Sequence, residues 1–277
     1  MSDKTDIREL CSLEDLERNG YRMYQLKEGF RFGTDTALLA WFAACFVRSG
    51  GKGNTSMVTK KKTEALELGA GCGACSLLLL ARQSSVKVDA VEIMPKPCEV
   101  ISANAELNRL GGRLHAINAD IRDLPSEVKN KQYDIVFMNP PFFRSEKGTK
   151  ASENKSVERL NGRFEENGDL DDFVRIASAR VIPSSGHVVM IMKGNRLKDC
   201  LNSFEANQIA PVRLMTVHSF ADKEASMILL AGKRGSKDPD LRILPPLILN
   251  ERLPNGDVVP TAEVEEIYNK PHTRCFI

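Results

Sequence analysis

The sequence predicts an α/β fold built on a mostly parallel sheet of seven strands. From Thr63 onwards, short apolar runs alternate with amphipathic segments, which is typical of strands joined by crossover helices. A glycine-rich turn separates the first of these strands from the helix that follows it. The short polar turn at 221–224 separates the last two strands, which predicts an antiparallel hairpin at the sheet edge.

The elements are predicted in chain order. Residues 1–20 are polar and expected to be partly helical, whereas 21–32 alternate around Glu28-Gly29 as in a hairpin. An apolar helix follows Thr34, which suits the N-cap position. Strands are predicted at 64–69, 86–92, 113–118, 133–138, 186–192, 211–218 and 225–232. Helices are predicted at 74–83, 96–109, 169–182, 196–207 and 262–269.

Composition divides the chain into three parts. Residues 1–62 are predicted to form a small N-terminal lid segment, which ends in a glycine- and lysine-rich link at 49–62. Residues 63–235 form the α/β domain, and 236–277 form a C-terminal extension that packs on it. Residues 144–168 are polar and low in apolar content, which predicts a loop that covers a site.

The bulk composition excludes several classes of protein. The chain has 277 residues, of which 42% are hydrophobic and 27% charged, as in soluble globular proteins. We expect no membrane span, because no apolar run reaches about 18 residues. We expect no signal peptide, because no apolar h-region follows the N-terminal Met-Ser-Asp-Lys-Thr-Asp. The scattered cysteines indicate reduced thiols in a cytoplasm. Cys72 and Cys75 form a lone C-x-x-C pair without a nearby histidine, so we expect no metal site.

Basic residues occur in three clusters. The net charge of +2 excludes nothing by itself, but such clusters are able to contact phosphates and equally fit a solvated surface. The clusters are Lys60-Lys61-Lys62, Lys193/Arg196/Lys198 and Lys233-Arg234/Lys237.

The segment Ala65–Leu80 reads A-L-E-L-G-A-G-C-G-A-C-S-L-L-L-L, a strand, a glycine turn and a helix. Gly69, Gly71 and Gly73 let the backbone approach a ligand where a Cβ would clash. The spacing is G-x-G-x-G, not the G-x-G-x-x-G of dinucleotide sites, which disfavours a nicotinamide dehydrogenase. No Lys-Ser or Lys-Thr pair follows, so the turn is not a phosphate-binding loop.

Acidic residues lie at three successive strand ends. Glu67 precedes the glycines, where it would repel a pyrophosphate and suit a ligand with an ammonium group. Glu92 suits ribose hydroxyls, and Asp120 suits an adenine amine with Ile93 and Ile121 on the two faces of the ring. Any one of these acids alone fits a helix N-cap equally well. The set predicts a ligand crevice at the carboxyl edge of the sheet.

The strand at 133–138 ends in Asn139-Pro140-Pro141-Phe142. The prolines remove backbone donors, so the turn offers carbonyls and the Asn139 side-chain oxygen as acceptors for an amine. Phe142 offers an aromatic face, on which stacking of a base contributes about 1–3 kcal/mol. Two acceptors that hold an amine in a tetrahedral shape would stabilise reaction at its nitrogen by position and electrostatics, without a strong base.

The glycine turn, its acids and N-P-P-F together resemble class I S-adenosylmethionine-dependent methyltransferases over roughly 63–235. The resemblance implies a Rossmann-like fold with S-adenosylmethionine as the cofactor. It implies that Asn139 and the Pro140 carbonyl hold the amine and that Phe142 stacks the base. The cofactor contacts it implies in this domain are Glu67, Gly69, Gly71, Gly73, Glu92, Ile93, Asp120, Ile121 and Asn139. Enzymes with N-P-P-F or N-P-P-Y act on adenine N6, guanine N2, cytosine N4 or a glutamine amide.

Three further segments narrow the substrate. The segment 29–40, G-F-R-F-G-T-D-T-A-L-L-A, the hairpin 215–234 and the tail 241–249 resemble bacterial methyltransferases that modify the N6 amine of adenine 37 in a valine tRNA. This resemblance implies tRNA as the partner of a cytoplasmic monomer that needs no metal and no membrane. It also places four residues of the first segment near the methionine end of the cofactor: Arg31, Phe32, Thr34 and Asp35.

The chain departs from this group at Arg163-Phe164-Glu165, where the group commonly has Arg-His-Glu. The alternatives that stay open are another planar nitrogen, such as guanine N2 in ribosomal RNA or a glutamine amide, and a non-catalytic RNA-binding protein. The intact N-P-P-F and the complete acid set argue against the last of these. Methylation of a hydroxyl would require a base or a metal, and neither is predicted near the motif.

Overall fold

The structure, a computed structural model, describes residues 6–28, 31–47, 62–141, 168–235 and 240–269. They form a central sheet with helices on both faces. Some predicted features lie outside these residues. They are the stacking role of Phe142, nearly all of the 49–62 link and of the 144–168 loop, and the triplet Arg163-Phe164-Glu165.

An antiparallel hairpin opens the fold. Strand β1 (Cys11–Arg18) pairs with β2 (Tyr21–Leu26) through Asn19-Gly20, where φ is 53° and 69°. The hairpin predicted around Glu28-Gly29 was therefore wrong, because an Asn-Gly pair adopts the left-handed conformations of tight hairpin turns. The expected helicity of this region is limited to the 3-10 turn Ile7–Leu10, since the residues after it pair as a strand.

Helix α1 (Thr34–Ala44) follows, and its residues from Thr36 onwards are buried. Its sequence is apolar on every side, as expected for a helix inside a core. It packs against α2 (Ala74–Arg82) and the central sheet. Gly33 is the N-cap and Thr34 the first helical residue, so the predicted N-cap was wrong by one residue. Helix ends shift by this amount because propensity alone does not define a cap.

The central sheet contains seven strands: β3 (Thr63–Leu68), β4 (Val86–Glu92), β5 (Leu114–Asn118), β6 (Ile135–Met138), β7 (His187–Lys193), β8 (Ile209–His218) and β9 (Ala225–Arg234). Their order is β5-β4-β3-β6-β7-β9-β8. The first five run parallel, whereas β9 is antiparallel to β7 and to β8. The predicted fold, with a mostly parallel sheet and an antiparallel hairpin, is confirmed.

The tail adds two short strands to the outer edge of β8. Strands β10 (Arg242–Ile243) and β11 (Leu247–Ile248) both pair with β8 in parallel. Pro245 and Pro246 lie between them and cannot donate to a ladder. The hairpin predicted at the sheet edge is therefore covered by the apolar tail, which protects the edge strand from pairing with another chain.

The remaining elements are α3 (Pro95–Leu107), α4 (Ser126–Lys129), α5 (Leu170–Arg180), α6 (Leu197–Ala206), β12 (Asn250–Arg252), β13 (Val258–Pro260) and α7 (Ala262–Asn269). Helices α1, α2, α3 and α7 contribute to one apolar cluster, and α5 and α6 contribute to a second one. Alternate residues of the strands enter the two clusters, as Ala65 and Leu66 of β3 do. This arrangement is expected when parallel strands are buried on both faces.

Buried polar contacts fasten both ends of the described chain to the α/β domain. Arg18 of β1 and Arg82 of α2 both donate to the carbonyl of Ile267 in α7. Ile267 also packs into the apolar cluster that contains α1 and α2. The predicted boundaries of the lid segment, the domain and the extension stay predictions.

Cysteine chemistry agrees with the expectation of reduced thiols at most described positions. Cys45 is an exception because it is disulfide-bonded. The described free thiols are Cys11, Cys72, Cys75, Cys98 and Cys200. Within the described ranges no helix is long and apolar enough to cross a bilayer, and no group of three metal-ligating side chains gathers.

Candidate active site at the carboxyl edge of the sheet

The glycine turn between β3 and α2 requires glycine at three positions for backbone reasons. Gly69, Gly71 and Gly73 have φ of 72°, 55° and 82°, the left-handed region. A Cβ on Gly69 would lie 3.1 Å from the Phe173 ring, and one on Gly73 would lie 3.2 Å from Ile101. A Cβ on Gly71 would meet nothing within 4 Å. The middle of the turn is therefore open, as a backbone approached by a ligand must be.

Glu92, the last residue of β4, supports this turn. Its Oε2 accepts from the Gly71 amide at 2.8 Å, and its Oε1 accepts from the Met94 amide at 2.9 Å. Burial raises the pKa of Glu92 above its ordinary value. The amide of Ile93 also contributes a hydrogen bond to this carboxylate. A carboxylate has about four lone-pair sites, so it retains capacity for a further donor. The ribose contact of Glu92 stays a prediction that this geometry fits.

Glu67 lies at the base of the turn and is buried. Its Oε2 accepts from the Ser76 amide at 3.1 Å and from the Ser76 hydroxyl, in the first turn of α2. Burial raises the pKa of Glu67 to about 8, because the charged form loses its water. A ligand ammonium beside this carboxyl would favour ionisation, so the predicted ammonium contact is chemically consistent with the site.

The raised pKa of Glu67 predicts a pH-dependent stability. The folded protein binds this proton more tightly than the unfolded chain does, so stability is greatest below the unfolded pKa and falls as pH rises towards 8. The slope should approach about 1.4 kcal/mol per pH unit. Urea unfolding between about pH 5 and 8 should show a steeper loss of stability in the wild type than in Glu67→Gln. Equal slopes in both proteins would contradict the assignment, and exposed Glu99→Gln is the matched control.

Asp120 follows β5 and makes local contacts. It accepts from the Arg122 amide at 2.8 Å and pairs with the Arg122 guanidinium at 2.6 Å, which together cap a 3-10 turn. Hydrogen bonding by Arg122 holds the pKa of Asp120 below its usual value. Ile121 is buried beside it, and Ile93 is half-buried after β4. The cap geometry agrees with the structural alternative, and the adenine contact of these residues stays a prediction.

Asn139 directly follows β6, and only one of the two polar atoms of its side-chain amide has a hydrogen-bond partner among the described residues. The Nδ2 group donates to Asp35 Oδ2 at 2.9 Å. The Oδ1 atom is buried and has no hydrogen-bond partner among the described residues. Pro140 follows and is buried. A buried acceptor without a donor costs about 1–3 kcal/mol, and a substrate amine would remove that cost.

The N-terminal segment reaches the site through Asp35, next to the start of α1. The structure brings Asp35 to Asn139 and directs Arg31 elsewhere, because Arg31 pairs with Glu14 of β1 at 2.6 Å. Thr34 is exposed. The predicted contacts of Arg31, Thr34 and Asp35 with the cofactor stay predictions.

Two supporting residues escaped sequence reasoning. Ser76 donates to the Glu67 carboxyl group. The sequence feature that could have indicated this role is the position of Ser76 in the first turn of α2. Asn104 is fully buried in α3 and exchanges hydrogen bonds with the Tyr24 backbone at 2.7 and 3.0 Å. It also donates to the Cys72 carbonyl at 3.0 Å, which ties the hairpin to the glycine turn. An isolated Asn within a helix carries no sequence signal for such a role.

The two described basic clusters lie at opposite ends of the strands, one at the carboxyl edge of the parallel strands and one at their amino edge. Lys193/Arg196/Lys198 follows the carboxyl end of β7, at the edge that also holds Asn139. Lys233-Arg234 ends β9, which runs antiparallel, so it lies at the other edge, where the strand pairs with the start of β8. Of these two clusters, only the first is at the edge where the candidate site lies.

These groups fit the cofactor that the resemblance implies. The turn is open at Gly71, so a ligand can approach its backbone closely. Glu67 offers a carboxyl group for an ammonium group, and Glu92 offers one for ribose hydroxyls. Asn139 Oδ1, which has no partner within the described ranges, is chemically able to accept a hydrogen bond from a substrate N–H group.

Comparison with known proteins identifies the fold. The family model described as methyltransferase small domain matches residues 54–176. A Porphyromonas gingivalis protein named tRNA1(Val) (adenine(37)-N6)-methyltransferase is 28% identical over 217 residues, covering 78% of this chain and 76% of the relative.

Two solved structures share the architecture. A predicted O-methyltransferase from Agrobacterium tumefaciens superposes with a TM-score of 0.61 at 20% identity, over 85% of this chain and 96% of that one. A Listeria monocytogenes protein described as a class I S-adenosylmethionine-dependent methyltransferase gives 0.57 at 11% identity, over 88% and 74% of the two chains. Residues 54–176 are therefore similar to a methyltransferase small domain, and the chain has the class I methyltransferase fold.

Proposed function

We propose that this protein transfers the methyl group of S-adenosylmethionine to the N6 amine of adenine 37 in a valine tRNA. The observation that carries the proposal is the buried Oδ1 of Asn139, directly after β6, which has no hydrogen-bond partner among the described residues. The similarity to the Porphyromonas gingivalis enzyme over more than three quarters of both chains supports the choice of base and RNA.

The chemistry follows from two acceptors. Asn139 Oδ1 and the Pro140 carbonyl would accept the two N–H groups of the adenine amine, which turns its lone pair out of conjugation with the ring. S-adenosylmethionine supplies an electrophilic methyl group on a sulfonium. The amine nitrogen would form a bond to the methyl carbon as the carbon–sulfur bond breaks, and the sulfonium would leave as a neutral thioether. The nitrogen, cationic after the transfer, would then lose one proton to water, so no strong base is needed. Positioning and electrostatic stabilisation supply the rate enhancement.

A hydroxyl acceptor fits this site less well because it would need a general base. The Asp35 carboxylate, which contacts Asn139, accepts from the amide nitrogen of that residue. The described histidines have partners elsewhere. His115 contacts Asp89, His218 contacts Thr216 and the Lys223 carbonyl, and His187 packs on Phe46. An amine, which brings its own donors to Asn139, matches the acceptors that are present.

The wider assignment follows from the same proposal. The chain would act as a monomer in the cytoplasm, with tRNA as its partner. The Lys193/Arg196/Lys198 cluster, at the same sheet edge as Asn139, would contact the RNA backbone. The N-terminal segment 1–62 would cover the methionine end of the cofactor. The C-terminal extension 236–277 would pack on the α/β domain through α7.

The test is methyl transfer from labelled S-adenosylmethionine to total tRNA from a strain that lacks this gene, followed by nucleoside analysis. We expect N6-methyladenosine, and mapping should place it at position 37 of a valine tRNA. Label in ribosomal RNA as N2-methylguanosine, or in a protein glutamine, would overturn the substrate while retaining the enzyme class. Binding of RNA without any transfer would favour a non-catalytic protein on the same fold.

A further inference from the structure

We infer that Asp35 is a positioning residue that sets the orientation of the Asn139 amide, rather than a contact to the cofactor. The inference rests on the proposed function, because it concerns how Asn139 presents its oxygen to the substrate amine. Asp35 and Asn139 are 104 residues apart in sequence, yet Nδ2 of Asn139 lies 2.9 Å from Oδ2 of Asp35.

An asparagine amide needs such a partner to act as an acceptor. Its two ends have nearly the same shape but opposite hydrogen-bonding character, so the surroundings decide which end faces the substrate. A carboxylate accepts and does not donate. Asp35 therefore binds the Nδ2 end, and the Oδ1 end is buried without a partner in the part of the chain that the structure describes. This is the orientation that an amine substrate requires.

The carboxylate of Asp35 is itself held in place. Asp35 lies in the first turn of α1, where a helix N-terminus stabilises negative charge. The helix is buried from Thr36 to Ala44, so it is a rigid support. The Thr36 hydroxyl lies 3.5 Å from Asp35 Oδ1. The backbone of Gly33 also lies close to this oxygen, since a Cβ added at Gly33 would come within 3.3 Å of it.

Without this carboxylate, the Asn139 amide would also populate the reversed orientation. Its Nδ2 would then face the amine of the substrate, donor against donor. We expect Asp35→Ala to lower kcat by about 10- to 100-fold. The Kd for S-adenosylmethionine should stay within about twofold of wild type, because the residue does not touch the cofactor.

An exchange of the two side chains provides the sharpest test. Asn139→Asp alone should be nearly inactive, because two carboxylates would face each other. In the double variant D35N/N139D, the introduced amide donates to the introduced carboxylate, and the second carboxylate oxygen stays free to accept the amine. We expect the double variant to exceed N139D by at least about 10-fold in kcat. A purely structural role of Asp35 would produce no such rescue.

The controls separate this inference from the proposed function. Exposed Asp240→Ala should change neither kcat nor Kd, and thermal unfolding should confirm that every variant is folded. The inference is overturned if D35A raises the Kd for S-adenosylmethionine at constant kcat, or if the double variant shows no rescue. If the wild type methylates a different acceptor, the same comparison is made with that acceptor. If it methylates none, the proposed function fails, and an unchanged cofactor Kd in D35A still supports the positioning role while a raised one refutes it.

Discussion

Asn139→Ala should lower kcat by about 10²- to 10³-fold, while the Kd for S-adenosylmethionine stays within about twofold of wild type. The variant removes the buried Oδ1 that would accept an N–H of the substrate amine. That hydrogen bond strengthens as the nitrogen becomes tetrahedral, so its loss should affect the transition state more than the ground state. Single-turnover transfer to tRNA and calorimetric titration with the cofactor measure the two quantities separately.

The matched control for this experiment is Asn130→Ala. Asn130 is exposed after α4, at the opposite edge of the sheet, so its replacement should leave both quantities unchanged. Retention of wild-type kcat in Asn139→Ala would refute the role of Asn139 as the amine acceptor. A parallel loss of cofactor affinity would instead indicate that Asn139 mainly shapes the cofactor crevice.

Local patterns predicted the fold and the ends of the strands that carry the site. Strand β4 and helix α7 have the predicted bounds, because alternation and apolar runs are properties of neighbouring residues. The glycine turn was equally readable, since left-handed φ at Gly69, Gly71 and Gly73 leaves little choice of residue. The three acidic strand ends predicted a ligand crevice, because the carboxyl ends of parallel strands meet at one edge of the sheet.

Contacts between distant residues could not be predicted in this way. The Asp35–Asn139 hydrogen bond depends on how α1 packs against the sheet, and no spacing encodes that packing. Asn104 shows the same limit, because its role depends on the hairpin that lies over α3. The hairpin itself was misplaced because Glu28-Gly29 and Asn19-Gly20 offer competing turn signals, and only the strand pairing decides between them.

Glu92→Gln should raise the Kd for S-adenosylmethionine by about 10- to 100-fold, because hydrogen bonds to a charged group contribute about 1.5–3 kcal/mol. Glutamine has nearly the same shape, but its amide group would set an N–H against the amide of Gly71 or of Met94, which the carboxylate now accepts. The turn would lose one of its two supports, and the ribose hydroxyls would lose a charged acceptor.

The result should distinguish support of the turn from direct binding. Loss of turn support alone would lower the stability of the protein and its affinity for S-adenosylmethionine together. If Glu92 also contacts the ribose, the loss of affinity for S-adenosylmethionine should exceed the loss for a methionine-like fragment without ribose. Glu99→Gln is the matched control, because Glu99 is exposed on the neighbouring helix α3. An unchanged Kd in Glu92→Gln would mean that the carboxylate only holds the backbone, and that the crevice recognises the cofactor through other groups.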